Sequence, residues 1–336
     1  MSFTRRAAAV LAAAIALAGV TACGSGGGET RDEAAAAPAS SGAGRSVRHD
    51  GGTTEVPAKP QRIVSVSVTL TGHLLAMEAP LIASQATPPS PIVDSNGFFS
   101  QWSDVAVERG VQVAYKGFEP ALEKIAGLRP DLIVGSASGA DDASKVYDRL
   151  SEIAPTLIYR YDNLSWQDLT TKIGKALGLE AGAAKVIQSY DQHVSEVKAA
   201  IKAPEQEIAL LRVNPTEIPV FTPVSAQGQL LTSLGLKVRE LPPGLETTAD
   251  QNEGGARADM VPVATENVTK AFGDASLFFV SHTKKDIDDA AAKPLWRDLP
   301  AVKDKRLYDL GLDSFRLDYY SATNVVDRVA GFFKGQ

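Results

Sequence analysis

The chain has 336 residues, with 40 acidic against 34 basic side chains, a formal charge of −6 and one cysteine. The acidic balance argues against a nucleic-acid partner, and a single thiol excludes both a disulfide framework and a thiolate zinc site. The length is sufficient for two hydrophobic cores.

Arg5 and Arg6 open the chain, and residues 7–20 form an apolar run too short to span a membrane. Val20-Thr-Ala-Cys23 fits the lipobox, in which the signal peptide is cut before the cysteine and the thiol takes a lipid. Residues 1–22 are therefore expected to be a lipoprotein signal peptide, with Cys23 anchoring the protein to the outer face of the cytoplasmic membrane. Residues 23–45, rich in Gly, Ala and Ser, read as a disordered tether. No later run is long and apolar enough for a transmembrane helix.

The N-terminal lobe is expected over residues 46–179. Pro57 and Pro60 flank a turn that feeds a strand over 62–68. Residues 72–78 read as a short helix stopped by Pro80, and 81–84 as a strand. Pro88, Pro89 and Pro91 bar regular structure and make 87–96 a long surface loop, which ends in Gly97-Phe-Phe-Ser-Gln-Trp102. A helix over 119–128, a buried strand over 131–135, a helix over 143–153, a strand over 156–159 and a helix over 165–177 follow. Ser165 with Asp168 reads as a capping-box variant.

Residues 180–203 read as one bridging helix. Ala183, Val186, Ile187, Tyr190, Val194, Val197 and Ile201 recur at three- and four-residue steps, and Pro204 follows as a stop. At 1.5 Å per residue the helix would be about 30–35 Å long, enough to join two lobes without a flexible joint. The C-terminal lobe, 204–336, is expected to hold strands at 207–213 and 219–222, a helix at 227–234 and a polar loop at 241–258. A helix at 263–272, strands at 277–281 and 306–310, and a final helix at 319–333 complete it.

The two halves echo each other. Gly72-His-Leu-Leu75 after the first strand parallels Gly228-Gln-Leu-Leu231, and Glu123 precedes one strand as Glu266 precedes another. Strands alternating with helices predict an α/β fold: two lobes with mainly parallel sheets joined by one long rigid helix. Ligands in such folds bind beyond the C-terminal ends of the strands. That rule directs attention to residues 67–71, 136–139, 222–225, 281–283 and 311–316.

No catalytic constellation is present in these segments. Gly135-Ser-Ala-Ser-Gly139 places Ala137 where a nucleophile elbow needs serine. There is no Walker loop, zincin motif or EF-hand loop. His49, His73, His193 and His282 are scattered singly, so neither an enzyme nor a protein-held metal is expected. Binding is the better reading. Phe98, Phe99, Trp102, Phe221, Phe315, Tyr319 and Tyr320 lie on or beside predicted loops, with Arg316 among them and Arg257 in the second long loop. Thr69 and Ser138 stand in the predicted cleft segments. Aromatic faces with guanidinium groups suit a flat, aromatic, anionic ligand.

Several stretches carry a family likeness. Residues 63–72, Gln101-Trp-Ser103, Ile153-Ala-Pro-Thr-Leu157, Thr222-Pro-Val-Ser-Ala-Gln-Gly228 and Phe315-Arg-Leu-Asp-Tyr-Tyr-Ser-Ala322 keep their order. Through them the chain resembles the ferric enterobactin periplasmic-binding proteins over about residues 62–333. The resemblance implies a helical-backbone binding protein, acting as a monomer, that delivers a ferric siderophore to an ABC permease with a cytoplasmic ATPase. The siderophore's own oxygens would hold the iron, so no intrinsic cofactor is implied. A ferric tris-catecholate carries a charge of about −3 and calls for cleft arginines despite an acidic surface. Arg316 falls in the matching motif, and Phe221 stands where the relatives carry tryptophan. Glu123 and Glu266 match the acidic residues that pair with permease arginines. The alternatives are a hydroxamate siderophore, haem or cobalamin as ligand, or a receptor without transport; haem would require an axial Tyr or His such as Tyr319, Tyr320 or His282.

Overall fold

A computed structural model describes residues 44–245 and 259–335. The signal peptide, Cys23 and Arg257 lie outside the described residues, as does most of the predicted loop 241–258.

The chain enters through a hairpin absent from the sequence-based expectation, β1 (Arg45–His49) paired antiparallel with β2 (Gly52–Val56). Its first residue, Arg45, was expected to lie in the tether. His49 anchors the hairpin: its Nδ1 accepts from the Ile158 amide at 3.2 Å and its Nε2 lies 2.9 Å from the Thr54 hydroxyl.

The first sheet follows in βα units: β3 (Ile63–Ser65), α1 (Val68–Ala76), β4 (Leu81–Ala86), α2 (Ser103–Glu108), β5 (Gln112–Lys116), α3 (Leu122–Gly127) and β6 (Leu132–Ser136). Next come a 3₁₀ turn (Ser144–Val146), α4 (Tyr147–Ser151), β7 (Thr156–Tyr159) and α5 (Trp166–Leu177). All five strands run parallel in the order β5-β4-β3-β6-β7. The predicted first strand is shorter than the sequence suggested. Ser67 takes the N-cap position, its hydroxyl accepting from the Leu70 amide, so α1 begins at Val68. At α5, Ser165 accepts from the Asp168 amide as expected. The Asp168 carboxylate, however, takes the Ser165 hydroxyl, not the cap backbone N–H.

The bridging helix α6 (Glu180–Ala200) has 21 residues, or about 31 Å. Ala183, Val186, Tyr190, Val194 and Val197 are its buried stripe, each full burial contributing about 1.5–3 kcal/mol for the larger side chains. The helix ends before the expected residue 203 because Ile201 turns extended and bridges to Lys334, tying the helix to the C-terminus.

The second sheet is built from β8 (Ile208–Leu211), β9 (Glu217–Phe221), β10 (Met260–Ala264), β11 (Ser276–Phe279) and β12 (Leu307–Asp309). Its helices are α7 (Ala226–Ser233), α8 (Val268–Phe272), α9 (Lys284–Ala291), α10 (Pro300–Lys303) and α11 (Tyr319–Phe333). Its order, β10-β9-β8-β11-β12, repeats that of the first sheet by position in sequence, as a duplicated lobe should. It is not all parallel, because β9 runs antiparallel to both neighbours. The helix expected over 263–272 opens instead as β10. Pro262 is tolerated there because β10 is an edge strand and needs fewer ladder donors.

The lobes meet where α1 packs on α11. A Cβ at Gly72 would overlap the Asp318 carboxylate, so only glycine permits this approach. Asp318 is buried there as the N-cap of α11, in a reciprocal capping box with Ser321.

Candidate functional site

A cavity of about 550 Å³ lies between the lobes. From the first lobe it is lined by Thr69 at the start of α1 and His73 in its last turn, by Gly139 after β6, and by residues 161–166 from the end of β7 into α5. From the second it is lined by Phe221 and Val224, by Ala226, Gln227 and Gln229 of α7, by Asp259, and by Phe315, Arg316 and Leu317. Thr69 and Arg316 also line a lateral chamber of about 240 Å³, with Phe99 and Phe118.

Two cations flank the Phe315 ring, which lines the cavity. The Arg212 guanidinium, just after β8, lies 4.6 Å from the Phe315 ring centroid, and that of Arg316 lies 5.7 Å from it. Arg316 is also 5.8 Å from the Phe99 ring, across the cleft, and hydrogen-bonds the Tyr161 hydroxyl. Burial, and then the neighbouring Arg316, lower the Arg212 pKa. Its Nε is buried without a hydrogen-bond partner, and neither arginine has a carboxylate partner among the described residues. Two like charges held together in a partly dry site are unfavourable unless an anion joins them.

The opposite wall is a polar network. The Asp141 carboxylate accepts from the Ser67 hydroxyl at 2.5 Å, the Thr69 amide at 3.2 Å and the Tyr161 hydroxyl at 3.1 Å. Burial first, then Asp141, push the Tyr161 phenol up to about 12, so it stays protonated and donates. Gly139, at φ +76°, is required here because a Cβ would collide with the Tyr161 hydroxyl. The Thr69 hydroxyl is buried and unpartnered between the two cavities.

The structure brings Arg316, Phe221, Phe99 and Thr69 to the cleft. It removes others. Phe98 and Trp102 are each 1 % exposed and pack together at 5.4 Å inside the first lobe. The proline-rich loop is ordered by Asp94, whose carboxylate accepts from the Asn96 and Phe98 amides. It folds its rings inward because burying each contributes about 2–3 kcal/mol. The Ser138 hydroxyl accepts from the Tyr161 amide and lines neither chamber. Tyr319 stands behind the wall against Trp166, their centroids 6.3 Å apart. His282 is structural, bonded to the Val280 carbonyl and the Val213 amide. His193 pairs with Asp327.

Arg212, Tyr161, Trp166 and Phe118 went unread in the sequence. Arg212 had a usable signal: a cation directly after the apolar strand residues Ile208 to Leu211, at the strand end where ligands bind. Tyr161 and Trp166 had none, since their roles depend on packing between β7 and α5. Glu123 and Glu266 are both exposed. They follow β5 and β10, strands in equivalent places that each run parallel to the first strand of their lobe. No group of His, Cys, Asp or Glu among the described residues is arranged to hold a metal. No described helix is long and apolar enough to cross a membrane.

Residues 99–313 match the family described as Periplasmic binding protein. The ferric enterobactin-binding periplasmic protein FepB of Escherichia coli O6:H1 (strain CFT073) is 44% identical over 292 residues, 86% of this chain and 91% of that one. The putative ABC transporter substrate-binding lipoprotein YhfQ of Bacillus subtilis (strain 168) is 27% identical over 84% of this chain and 86% of its own. The crystal structure of holo-ViuP superposes with a TM-score of 0.76 at 31% identity, covering 87% of this chain and 95% of that chain. The fold, the interlobe cleft and these matches together place the chain in the periplasmic binding protein family.

Proposed function

We propose that the protein is the substrate-binding component of an ABC importer that captures a ferric siderophore, of the catecholate class, and passes it to the permease. The observation that carries this is the pair Arg212 and Arg316 about Phe315, two cations with no carboxylate partner among the described residues, the second of them on the wall of the cavity. A ferric catecholate supplies both the negative charge and the flat rings that such a site needs. Similarity to FepB, named for ferric enterobactin, supports the same ligand class. The iron is cargo held by the siderophore, with no resident cofactor. Haem is less well served: both ring nitrogens of His282 contact backbone atoms, and Tyr319 is off the cleft wall.

Tryptophan fluorescence tests the reading. Trp166 lines the cavity, whereas Trp102 and Trp296 sit in the lobe cores. Ferric catecholates should quench the emission saturably, and Trp166→Phe should remove most of the change. The ligand should be recovered chemically unchanged, because the protein acts as a carrier and not an enzyme. Saturable binding of hydroxamates or haem in preference to catecholates would overturn the assignment. Lipid anchoring through Cys23 belongs to the same reading and is supported by the lipobox and by the similarity to a putative lipoprotein. Cys23→Ala should abolish lipid labelling; labelling that persists would rule the anchor out.

A further inference from the structure

We propose that the lateral chamber beneath Phe118 is a subsite for one planar, anionic aromatic arm of the ligand, with Phe118 as the residue that selects for that arm. This rests on the ferric-catecholate reading above and deepens it.

The chamber is walled by Pro88, Pro89, Ile92, Phe99 and Phe118 and opens toward the main cavity at Thr69 and Arg316. Most of its exposed wall is apolar, with Thr87 and Ser90 also bordering it, yet a guanidinium forms the partition, 5.8 Å from the Phe99 ring. An aliphatic arm would desolvate that cation without compensation. A ring bearing ionised oxygens would stack on the walls and bond to the cation at its edge.

Two further observations point to an occupant. Phe118 is 46 % exposed on the chamber's lip, whereas Phe98 and Phe99 on the neighbouring loop are buried. A large ring left half in water at the mouth of a cavity has apolar area for a ligand to cover. The Thr69 hydroxyl is the second. Its own amide already donates to Asp141, while the hydroxyl is buried at the junction of the chambers with no partner. Such a group costs free energy until a ligand oxygen satisfies it. Asp141 also borders the chamber, but its carboxylate already accepts from Ser67, Thr69 and Tyr161, so its charge is compensated.

The test compares ferric complexes of a tris-catecholate and a bis-catecholate by fluorescence titration. Phe118→Ala should weaken the tris-catecholate about fivefold, the scale of one aromatic contact, and leave the bis-catecholate within about twofold. Phe118→Trp should preserve tris-catecholate affinity. Ser90→Trp, which fills the chamber from its exposed loop, should weaken the tris-catecholate by more than Phe118→Ala does. Circular dichroism checks that each variant is folded. Equal weakening of both ligands, or unchanged tris-catecholate binding in Phe118→Ala and Ser90→Trp, would overturn the subsite while leaving the ligand class intact. Failure of the unmodified protein to bind either complex would instead overturn the ligand class.

Discussion

Arg316 and Arg212 share the Phe315 ring but differ in what they give up when the cleft is empty. Arg316 already has Tyr161 and two ring faces, so its geometry is set before the ligand arrives. Arg316→Ala should weaken ferric catecholate binding by about 30-fold or more, the cost of truncating one partner of a desolvated charge pair. Arg316→Lys should recover only part, since it restores charge without the planar fork. Unchanged titration curves would make Arg316 structural. Arg212 has a buried Nε with no partner and a like charge beside it. Arg212→Met should therefore lower ligand affinity yet raise the melting temperature of the ligand-free protein by about 2 °C, by removing an uncompensated cation. A fall in both quantities would show that Arg212 holds the fold together.

The element that carries most of this geometry is the pair α1 and α11. The Asp318–Ser321 box starts α11, and the Ser321 hydroxyl donates to the Arg316 carbonyl at 3.0 Å, fixing the backbone that aims the guanidinium. Two buried titratable groups lie at this junction with opposite consequences. Burial lowers His73 from 6.5 to about 4, so its contribution to stability is present above 6.5 and is lost as the pH falls through about 4. Burial raises Asp318 from 3.8 to about 6, so its contribution is present below 3.8 and is lost as the pH rises through about 6. His73→Leu should flatten the acid-side decline between pH 6.5 and 4, by at most roughly 3 kcal/mol in urea unfolding. The Thr170 hydroxyl left behind still donates to the Trp166 carbonyl at 2.7 Å. An unaltered decline would place the acid sensitivity elsewhere.

For the whole molecule, the proposed function assigns ligand and permease to different surfaces. The ligand cavity lies between the lobes, whereas Glu123 and Glu266 are exposed, one on each lobe, in equivalent connections of two sheets with the same strand order. Exposed rim charges act chiefly on association. Changing both to Ala should leave siderophore titrations unchanged and reduce uptake into cells at least about tenfold. Undiminished uptake by the double variant would remove the docking role. Loss of binding would show instead that the glutamates shape the cleft.

Local patterns in the chain were sufficient for much of this architecture. Helix α6 is legible because its stripe has a 3.6-residue period over 21 residues, and α5 and α11 because Ser165 and Asp318 cap clear apolar runs. Arg316 and Thr69 are legible as cavity-lining residues because they stand where strands end and helices begin. Tertiary packing decided the rest. Whether an aromatic on a loop lines a cleft or fills a core depends on which way the loop folds, so both Phe98 and Phe99 are buried but only Phe99 borders a chamber. The antiparallel entry of β9, the edge position of β10 and the β1–β2 hairpin all depend on partners distant in sequence, which local periodicity does not encode. The site's central feature belongs to the same class. Arg212 and Arg316 are about a hundred residues apart in the chain, and only the tertiary fold brings both guanidinium groups to one ring.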